Sequence, residues 1–414
     1  METVIVDLPG CKSASQRALV LAALAEGPSR LTGLSGGDDT HFLRSALQTL
    51  GVAMEDLAHG VLSVHGQNGA PNLACDFCEI GEGGSTLRFL LPLLATRACN
   101  MRLSVAPSLM ARPHQSLLDL LRLNGAEIEA LPSGFQMRGV AHALPSPCVV
   151  EVGLSSQFLS GLLMSSGHSA QSWQLNGPPV SVGYLEMTLA MLRQFRGAHV
   201  LEQDDLLWQQ QAGFGRGQDF TVPADASAAL FFAVAAALNN TTIALSQPTS
   251  AQHPDEYALQ FLEKAGFMQR TIFPAADTVT TFRGTATTAV AVEAFDLAHS
   301  PDSGPALAVL AASNPTGIRF ENAGRLRHKE SDRIDGMARL ASACGGALSE
   351  SGDSLWIRAV GPAPQTTDFD PVFDHRLAMA AGVAALRWPG IQVTDPAVVT
   401  KSFPDFWTQL ELLK

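Results

Sequence analysis

Six apolar stretches recur along the chain, and each follows a small polar residue or a histidine. Such nearly all-apolar stretches are typical of buried helices rather than of amphipathic surface helices. The residues that precede them are Ser13, Ser85, Ser155, Ser227, Ser303 and His375. The five serines fit the N-cap position, where a side-chain oxygen accepts backbone N–H groups of the first helical turn. The pattern therefore predicts six buried helices with polar starts.

The spacing of these helix starts is even, at 70 to 76 residues from one to the next. Between them lie short β-branched or alternating runs that predict strands, such as Val61–Val64, Met101–Val105 and Leu355–Arg358. More polar helices are predicted at His114–Leu123 and Tyr184–Phe195. Even spacing indicates an internal repeat. We expect an α/β fold of two domains, each built from three repeated strand-helix units around buried helices. Helix N-termini on one face of each domain would then suit anions.

Composition limits the possible functions. The chain has 414 residues, 46% hydrophobic and 16% charged, which is typical of a folded protein with more than one domain. A net charge of −12 argues against a broad nucleic-acid or anionic-membrane surface. No apolar run is long enough for a membrane span, and the first residues lack a signal-peptide pattern. The six cysteines are expected to be reduced and the protein to be cytoplasmic.

Lysine is rare, and its positions point to local anion chemistry. Three of the five lysines, Lys12, Lys329 and Lys401, lie in short polar segments. Lysine provides a compact, mobile charge whose pKa shifts on burial, whereas arginine provides a planar fork that suits carboxylate and phosphate. Chance clustering of surface charge is the alternative interpretation of the lysines taken alone.

Other segments add polar groups near predicted helix starts. Gly81–Arg88 is a glycine loop that enters a helix, where a ligand can approach the backbone closely. Asp302 is either a helix cap or a catalytic carboxylate, and Glu330 either an acid–base group or a neutralising neighbour of Lys329. Cys75 and Cys78 lack a second pair at zinc spacing. No motif indicates nucleophilic hydrolysis, zinc chemistry or ATP use. No metal and no organic cofactor is expected.

Five motifs together resemble the 5-enolpyruvylshikimate-3-phosphate synthase family, also called 3-phosphoshikimate 1-carboxyvinyltransferases, within the enolpyruvyl transferases. The resemblance runs from Leu8 to Phe406, nearly the whole chain. The motifs are Lys12-Ser13-x-Ser15-x-Arg17, Ser155-Ser156-Gln157-Phe158-Leu159, Lys329-Glu330-Ser331-Asp332-Arg333, Asp374-His375-Arg376 and Lys401-Ser402-Phe403-Pro404-Asp405.

The resemblance implies one discontinuous domain of residues 1–11 plus 222–414, a second domain of residues 12–221, and an active site in the cleft between them. It also implies transfer of the enolpyruvyl group of phosphoenolpyruvate to the 5-hydroxyl of shikimate 3-phosphate by addition and elimination of phosphate. Catalytic residues would be Lys12, Asp302 and Glu330. Shikimate 3-phosphate would contact Ser13, Arg17, Ser155, Ser156, Gln157, Ser181, Tyr184 and Lys329. Phosphoenolpyruvate would contact Lys12, Gly84, Arg112, Gln157, Arg333, Arg376 and Lys401.

The chain departs from the family pattern at several positions. Glu82 stands where many members carry Asn, Arg325 also replaces an Asn, and Cys11 stands where Ser or Asp is common. A carboxylate at position 82 would repel phosphoenolpyruvate unless a cation neutralises it. Two alternatives remain: a non-catalytic anion-binding relative, and the UDP-N-acetylglucosamine enolpyruvyl transferase, whose loop cysteine is missing here before Arg112. Only small-molecule substrates are expected as partners, with no nucleic acid or membrane, and a monomer is expected.

Overall fold

A computed structural model describes residues 3–70, 75–141, 144–273, 279–285 and 294–414. The strands are β1 (Val4–Val6), β2 (Glu26–Thr32), β3 (Ala53–Leu57), β4 (Val61–Gln67), β5 (Phe77–Gly81), β6 (Cys99–Val105), β7 (Glu127–Leu131), β8 (Gly134–Gly139), β9 (Cys148–Val150), β10 (Gln171–Leu175), β11 (Leu201–Asp204), β12 (Leu207–Gln210), β13 (Asp219–Thr221), β14 (Thr242–Leu245), β15 (Met268–Phe273), β16 (Val279–Gly284), β17 (Phe295–Asp296), β18 (Ile318–Glu321), β19 (Gly346–Ser351), β20 (Ser354–Ala359), β21 (Thr367–Phe369) and β22 (Ile391–Val393).

The helices follow the same chain order. They are α1 (Lys12–Leu24), α2 (Asp38–Thr49), α3 (Gly84–Ala95), α4 (Pro107–Met110), α5 (Gln115–Leu123), α6 (Ser156–Ser165), α7 (Val182–Arg196), α8 (Ala226–Asn239), α9 (Glu256–Lys264), α10 (Gly304–Ala312), α11 (Arg333–Ala343), α12 (His375–Arg387) and α13 (Phe406–Glu411). Short 3-10 segments cover Ala58–Gly60, Gly324–His328 and Pro396–Lys401.

The chain divides into two compact units. The continuous unit is Lys12–Val222, and the discontinuous unit combines Met1–Cys11 with Pro223–Lys414. The continuous unit holds three four-stranded sheets, in the orders β13-β2-β4-β3, β5-β6-β8-β7 and β11-β12-β10-β9. The discontinuous unit holds the sheets β1-β14-β16-β15, β17-β18-β20-β19 and the two-stranded β21-β22 among its described residues. The three-unit repeat predicted for each domain is therefore confirmed.

Each four-stranded sheet repeats one pairing pattern. A parallel pair at one edge is followed by two antiparallel pairs, as in β5 with β6, then β6 with β8, then β8 with β7. The first discontinuous sheet follows the same rule, because β1 pairs in parallel with β14 across more than half the chain. A parallel pair needs a long crossover, which α3 provides between β5 and β6, α6 between β9 and β10, and α10 between β17 and β18.

The six helices predicted from the apolar stretches lie in the cores. Helices α1, α3 and α6 pack against one another in the continuous unit, and α8, α10 and α12 do so in the discontinuous unit. Every residue of α10 and residues 226–236 of α8 are buried. Phe231 and Phe232 of α8 pack against Phe406 at ring-centroid distances of 6.2 and 6.1 Å. Apolar burial on this scale is the main stabilising term of such a fold.

The N-cap prediction is right at one serine and wrong at others. The Ser155 hydroxyl accepts from the Gln157 N–H, but α8 and α12 are capped by Asp225 and Asp374. Ser227 lies one residue inside α8, and Ser303 makes no side-chain cap bond. A carboxylate caps as well as a hydroxyl and adds a favourable charge at the positive helix end. The polar starts predicted from sequence are present, but two of the caps are one or two residues earlier.

Candidate active site

The starts of α1, α3 and α6 place polar side chains at one end of the continuous unit. Gln16 of α1 donates to Thr86 of α3 at 3.2 Å, and Gln157 of α6 donates to Ser85 of α3 at 2.9 Å. These bonds join three segments that are 70 or more residues apart in sequence. Three helix N-termini carry partial positive charge, which makes this end favourable for anions.

Gly84 borders a group of cationic and amide side chains. A Cβ atom added to Gly84 would lie 3.2 Å from Arg112 Nη1, 3.7 Å from Arg88 Nη1 and 3.8 Å from Gln157 Oε1. Glycine therefore keeps open a space that these three side chains surround. Sequence reasoning named Gly84, Arg112 and Gln157, and the structure brings them together.

Arg88 is the residue that sequence reasoning did not single out in this group. It is 7% exposed and donates to Gln157 Oε1 at 2.5 Å and to the Pro113 carbonyl at 3.3 Å. His114 orients it, since His114 Nδ1 accepts from Arg88 Nε at 3.4 Å while the other ring nitrogen bonds to the Leu109 carbonyl at 2.7 Å. Burial and the adjacent Arg88 lower the pKa of His114 to about 4, so the ring stays neutral near pH 7. Its place one helical turn after Gly84 is the signal that could have identified Arg88.

Lys12 forms an ion pair that the sequence did not predict. Its Nζ lies 2.8 Å from Asp39 Oδ2, and both side chains are largely buried. Asp39 lies in the first turn of α2, where an acidic side chain is favourable for the helix even without a further role. The proposed catalytic lysine is therefore neutralised by an internal carboxylate in this structure.

Arg17 is held inside the continuous unit. Its three nitrogens donate to Thr188 Oγ1 at 2.7 Å, the Ser13 carbonyl at 2.8 Å and the Tyr184 carbonyl at 3.1 Å. The side chain is only 2% exposed. These contacts tie α1 to α7 and bring Ser13 and Tyr184 close to each other. The observed contacts of Arg17 are structural, and its predicted role in substrate binding stays a prediction.

The remaining predicted residues of the continuous unit lie at helix starts. Ser155 caps α6, Ser156 is buried in its first turn, and Ser181 precedes α7 with a left-handed backbone at φ 50°. A left-handed serine is uncommon and costs free energy, and such conformations cluster at functional sites. Glu82 is half-buried in the loop between β5 and α3.

Asp302 is the centre of a charged cluster in the discontinuous unit. Its Oδ1 lies 3.2 Å from Lys329 Nζ and 2.7 Å from Arg333 Nη1, and its Oδ2 lies 3.1 Å from Arg376 Nη2. Burial opposes the charged form of Asp302, but Arg376, Lys329 and Arg333 outweigh burial and hold its pKa well below 3.8. Burial lowers the pKa of Lys329 from 10.5. The structure thus brings together four of the predicted site residues.

Arg333 connects this cluster to two more carboxylates. It donates to Asp374 Oδ2 at 2.7 Å and to Glu330 Oε2 at 2.6 Å, and its side chain is 1% exposed. Asp374, the first residue of the motif Asp374-His375-Arg376, is 0% exposed and also caps α12. A buried guanidinium in this setting needs such partners, because an unpaired buried charge is costly.

Lys401, a predicted contact of phosphoenolpyruvate, and Arg325, which stands where the family usually has Asn, both belong to the discontinuous unit. Lys401 is buried at the end of the 3-10 segment Pro396–Lys401. Arg325 is half-buried in the segment Gly324–His328, where burial lowers its pKa against the opposing effect of Asp296 and Asp353. Its charge therefore faces acidic neighbours of its own unit.

One group of residues has metal-like spacing among those that the structure describes. Atoms of Cys11, Asp225 and His253 that could bind a metal lie within 4.8 Å of one another, and all three residues are buried. His253 Nδ1 accepts from the Asp255 N–H at 3.1 Å, which places the ring proton on Nε2. A metal on Nε2 of a neutral ring would need that proton on Nδ1. The hydrogen-bond polarity thus favours a proton over a metal at this group.

Solved structures resemble the whole chain. EPSP synthase from Acinetobacter baumannii matches with a TM-score of 0.77 and 24% identity over 99% of this chain and 95% of that chain. The enolpyruvyl transferase NikO from Streptomyces tendae matches with a TM-score of 0.75 and 18% identity over 100% and 94%. With three helix-and-sheet repeats in each unit, the fold is that of the enolpyruvyl transferases.

Sequence comparisons identify the family. The chain matches EPSP synthase (3-phosphoshikimate 1-carboxyvinyltransferase) over residues 3–410. A 3-phosphoshikimate 1-carboxyvinyltransferase of Pseudomonas syringae pv. syringae (strain B728a) is 34% identical over 422 residues, covering 99% of this chain and 94% of that protein. One from Rhizobium etli (strain ATCC 51251 / DSM 11541 / JCM 21823 / NBRC 15573 / CFN 42) is 31% identical over 416 residues, covering 98% and 93%. The chain belongs to the EPSP synthase family, as the motifs predicted.

Within the described part of the chain, every helix is too short or too polar to span a bilayer.

Proposed function

We infer that this protein transfers the enolpyruvyl group of phosphoenolpyruvate to the 5-hydroxyl of shikimate 3-phosphate and releases phosphate. Family membership over nearly the full length supports this function. The observation that carries it at the level of the site is the cluster in which Asp302 contacts Lys329, Arg333 and Arg376. A carboxylate held by three cations can accept a proton once bound anions take over part of that pairing.

We propose that the substrates compete with internal carboxylates for these cations. In this structure Lys12 is paired with Asp39, and Arg333 and Arg376 with Asp302. The phosphate and carboxylate of phosphoenolpyruvate would take over part of this pairing, with Gly84, Arg112, Gln157 and Lys401 as further contacts. Arginine forks bind both groups through paired charge-assisted bonds. Preformed cations reduce the cost of holding two anions close together.

Shikimate 3-phosphate would be bound by hydroxyls and cations of the other predicted set. We assign Ser13, Ser155, Ser156 and Ser181 as hydrogen-bond donors to its phosphate and ring, since all four stand in the first turn or at the cap position of a helix. The remaining assigned contacts are Arg17, Gln157, Tyr184 and Lys329. For Arg17, the proposal requires a change from the contacts that it makes in this structure.

The proposed chemistry has two stages. In the addition, Asp302 removes the proton of the 5-hydroxyl, the oxygen bonds to C2 of phosphoenolpyruvate, and Lys12 or Glu330 donates a proton to C3. In the elimination, the C3 proton is removed and the phosphate leaves. Asp302 is a weak base while three cations surround it. When the substrate anions draw Arg333 and Arg376 away, its pKa rises toward the value that proton abstraction needs.

The direct test is phosphate release from phosphoenolpyruvate by the purified protein. We expect release with shikimate 3-phosphate as acceptor and none with UDP-N-acetylglucosamine. The Lys12→Ala variant should be slower by at least about 10²-fold, the usual scale for removing one acid–base or charge-stabilising group. Release with the nucleotide sugar alone would contradict the proposed substrate, and substrate binding without release would indicate a non-catalytic relative.

Glu82 gives a second test of the site. Replacing Glu82 with Asn should lower KM for phosphoenolpyruvate, because a carboxylate in the glycine loop repels that substrate. Initial rates at saturating shikimate 3-phosphate measure the effect. Glu79→Gln is the matched control, since it removes one charge from β5 three residues earlier, where Glu79 accepts from Ser104 at 3.2 Å. An unchanged or higher KM in Glu82→Asn would show that Glu82 is neutralised or points away from the ligand.

A further inference from the structure

Asp255 is a fully buried carboxylate that the proposed chemistry does not use. It directly precedes α9 and is 0% exposed. A buried carboxylate needs hydrogen-bond donors on both oxygens, because an unsatisfied one is costly. Asp255 Oδ1 accepts from the Ser300 hydroxyl at 2.5 Å, and Oδ2 accepts from the Ser227 hydroxyl at a shorter distance.

Ser227 transmits this interaction to Arg376. A hydroxyl has one hydrogen, and that of Ser227 is used by Asp255, so its oxygen can only accept from other groups. Arg376 Nη2 donates to this oxygen at 3.4 Å and to Asp302 Oδ2 at 3.1 Å. The polarity of the chain is fixed: Arg376 donates to Ser227, which donates to Asp255. Successive hydrogen bonds of this kind strengthen one another in a low-dielectric interior.

The second branch from Asp255 leads to the segment that carries Asp302. Ser300 donates to Asp255, and the Ser300 carbonyl accepts from the Ser303 hydroxyl at 2.6 Å. Asp302 lies between these two serines, two residues before the start of α10. The Asp255 carboxylate therefore accepts hydrogen bonds from Ser227, which contacts Arg376, and from Ser300, which lies two residues before Asp302.

His253 fixes Asp255 from the other side. Its Nδ1 accepts the Asp255 N–H at 3.1 Å, and its ring also hydrogen-bonds to Cys11. Cys11 is itself held by the Pro223 carbonyl, to which its N–H donates at 2.8 Å. The chain leaves the discontinuous unit after Cys11 and returns to it at Pro223. Both residues thus belong to the hydrogen-bond network that begins at Asp255.

We propose that Asp255 is a positioning residue that holds Arg376 through Ser227 in the orientation needed to bind phosphoenolpyruvate. The role of Arg376 rests on the proposed function. Asp255 touches no substrate in this scheme. It sets the direction of the Arg376 guanidinium, and it fixes the start of the segment from which Asp302 projects.

The kinetic test uses Ser227, which is less risky to replace than Asp255. In Ser227→Ala the relay to Arg376 is lost, and KM for phosphoenolpyruvate should rise about tenfold, the scale of one hydrogen bond to a charged group. KM for shikimate 3-phosphate should stay within about twofold, because the loss concerns one substrate's ligand. Ser227→Thr keeps the hydroxyl and should restore KM to within about threefold of the original protein. Ser313→Ala, at the end of α10, removes a comparable hydroxyl that donates to the Leu310 carbonyl at 2.7 Å, and should change neither KM.

An unfolding experiment tests the same inference without turnover. Asp255→Asn, Arg376→Gln and the double variant form a thermodynamic cycle measured by denaturant unfolding. If Asp255 holds Arg376, the two effects should be non-additive by about tenfold in the unfolding equilibrium constant. If Asp255→Asn does not fold, Ser227→Ala replaces it in the cycle.

The two experiments separate the possible failures. An original protein without turnover would reject the proposed function, and the unfolding cycle alone would then decide the role of Asp255. Additive effects in the cycle would overturn the inference. So would a Ser227→Ala variant of the active enzyme that leaves KM for phosphoenolpyruvate unchanged, or that raises both KM values equally.

Discussion

Replacing Asp302 with alanine or asparagine should lower kcat by at least about 10²-fold, the usual scale for loss of a general base. Asp302 is the carboxylate on which Lys329, Arg333 and Arg376 converge in this structure. Asparagine keeps the shape of the side chain but cannot accept the hydroxyl proton. Single-turnover phosphate release with both substrates saturating measures the effect on the chemical step. A near-normal rate in Asp302→Asn would remove Asp302 from the mechanism.

The same substitution should change how stability depends on pH. The folded protein holds the pKa of Asp302 well below 3.8, so the carboxylate stabilises the fold at and above that pH. As pH falls through the lowered pKa, this contribution is lost. The difference in unfolding free energy between the original protein and Asp302→Asn should therefore be largest near pH 7 and shrink below pH 3.8. Denaturant unfolding at several pH values checks it, and a pH-independent difference would contradict the assignment.

Replacing Asp374 with alanine should destabilise the fold by about 3–5 kcal/mol, because it leaves the buried Arg333 guanidinium without a main partner. The two side chains are 0% and 1% exposed and meet at 2.7 Å. The cap of α12 is lost as well. Denaturant unfolding at neutral pH measures the change.

Asp332→Ala is the matched control for this prediction. Asp332 caps α11, and its ion pair with Arg327 joins two half-exposed side chains. Its loss should cost only about 1 kcal/mol, the typical value of a helix cap. Equal losses in the two variants would show that Asp374 acts as a cap alone and that the buried pair with Arg333 contributes little.

The fold class could be predicted because its signal is local and repeated. A fully apolar stretch such as that of α8 or α10 is favourable only when it is buried in a core. Even spacing of six such stretches then implies equivalent structural units. Exact caps could not be assigned, because Asp225 and Ser227 are both good N-cap residues and lie two positions apart. Only the path of the backbone decides between them, and here it leaves the Ser227 hydroxyl to Asp255.

Only part of the candidate site follows from the sequence, and the contacts that do not follow share one physical cause. Lys12, Gly84, Asp302 and Arg333 stand in motifs whose composition indicates anion binding. The motifs do not show which residues pair: Asp39 is 27 residues from Lys12, and Asp374, which stands in a motif of its own, is 41 residues from Arg333. Pairing at such separations is set by how the repeats pack, and no local pattern specifies it. For this reason the sequence does not predict the pairing of Lys12 with Asp39 or of Arg333 with Asp374.

The position of β1 has a consequence for synthesis on the ribosome. This strand is made before the continuous unit, but its parallel partner β14 begins at Thr242. Because chains emerge from the N-terminus, residues Lys12–Val222 are complete before that partner exists. A nascent chain can thus complete the continuous unit while β1 still lacks its partner strand. Early chain termination after residue 222 would release a product that has one complete unit and an orphan strand, a ready target for proteases or aggregation.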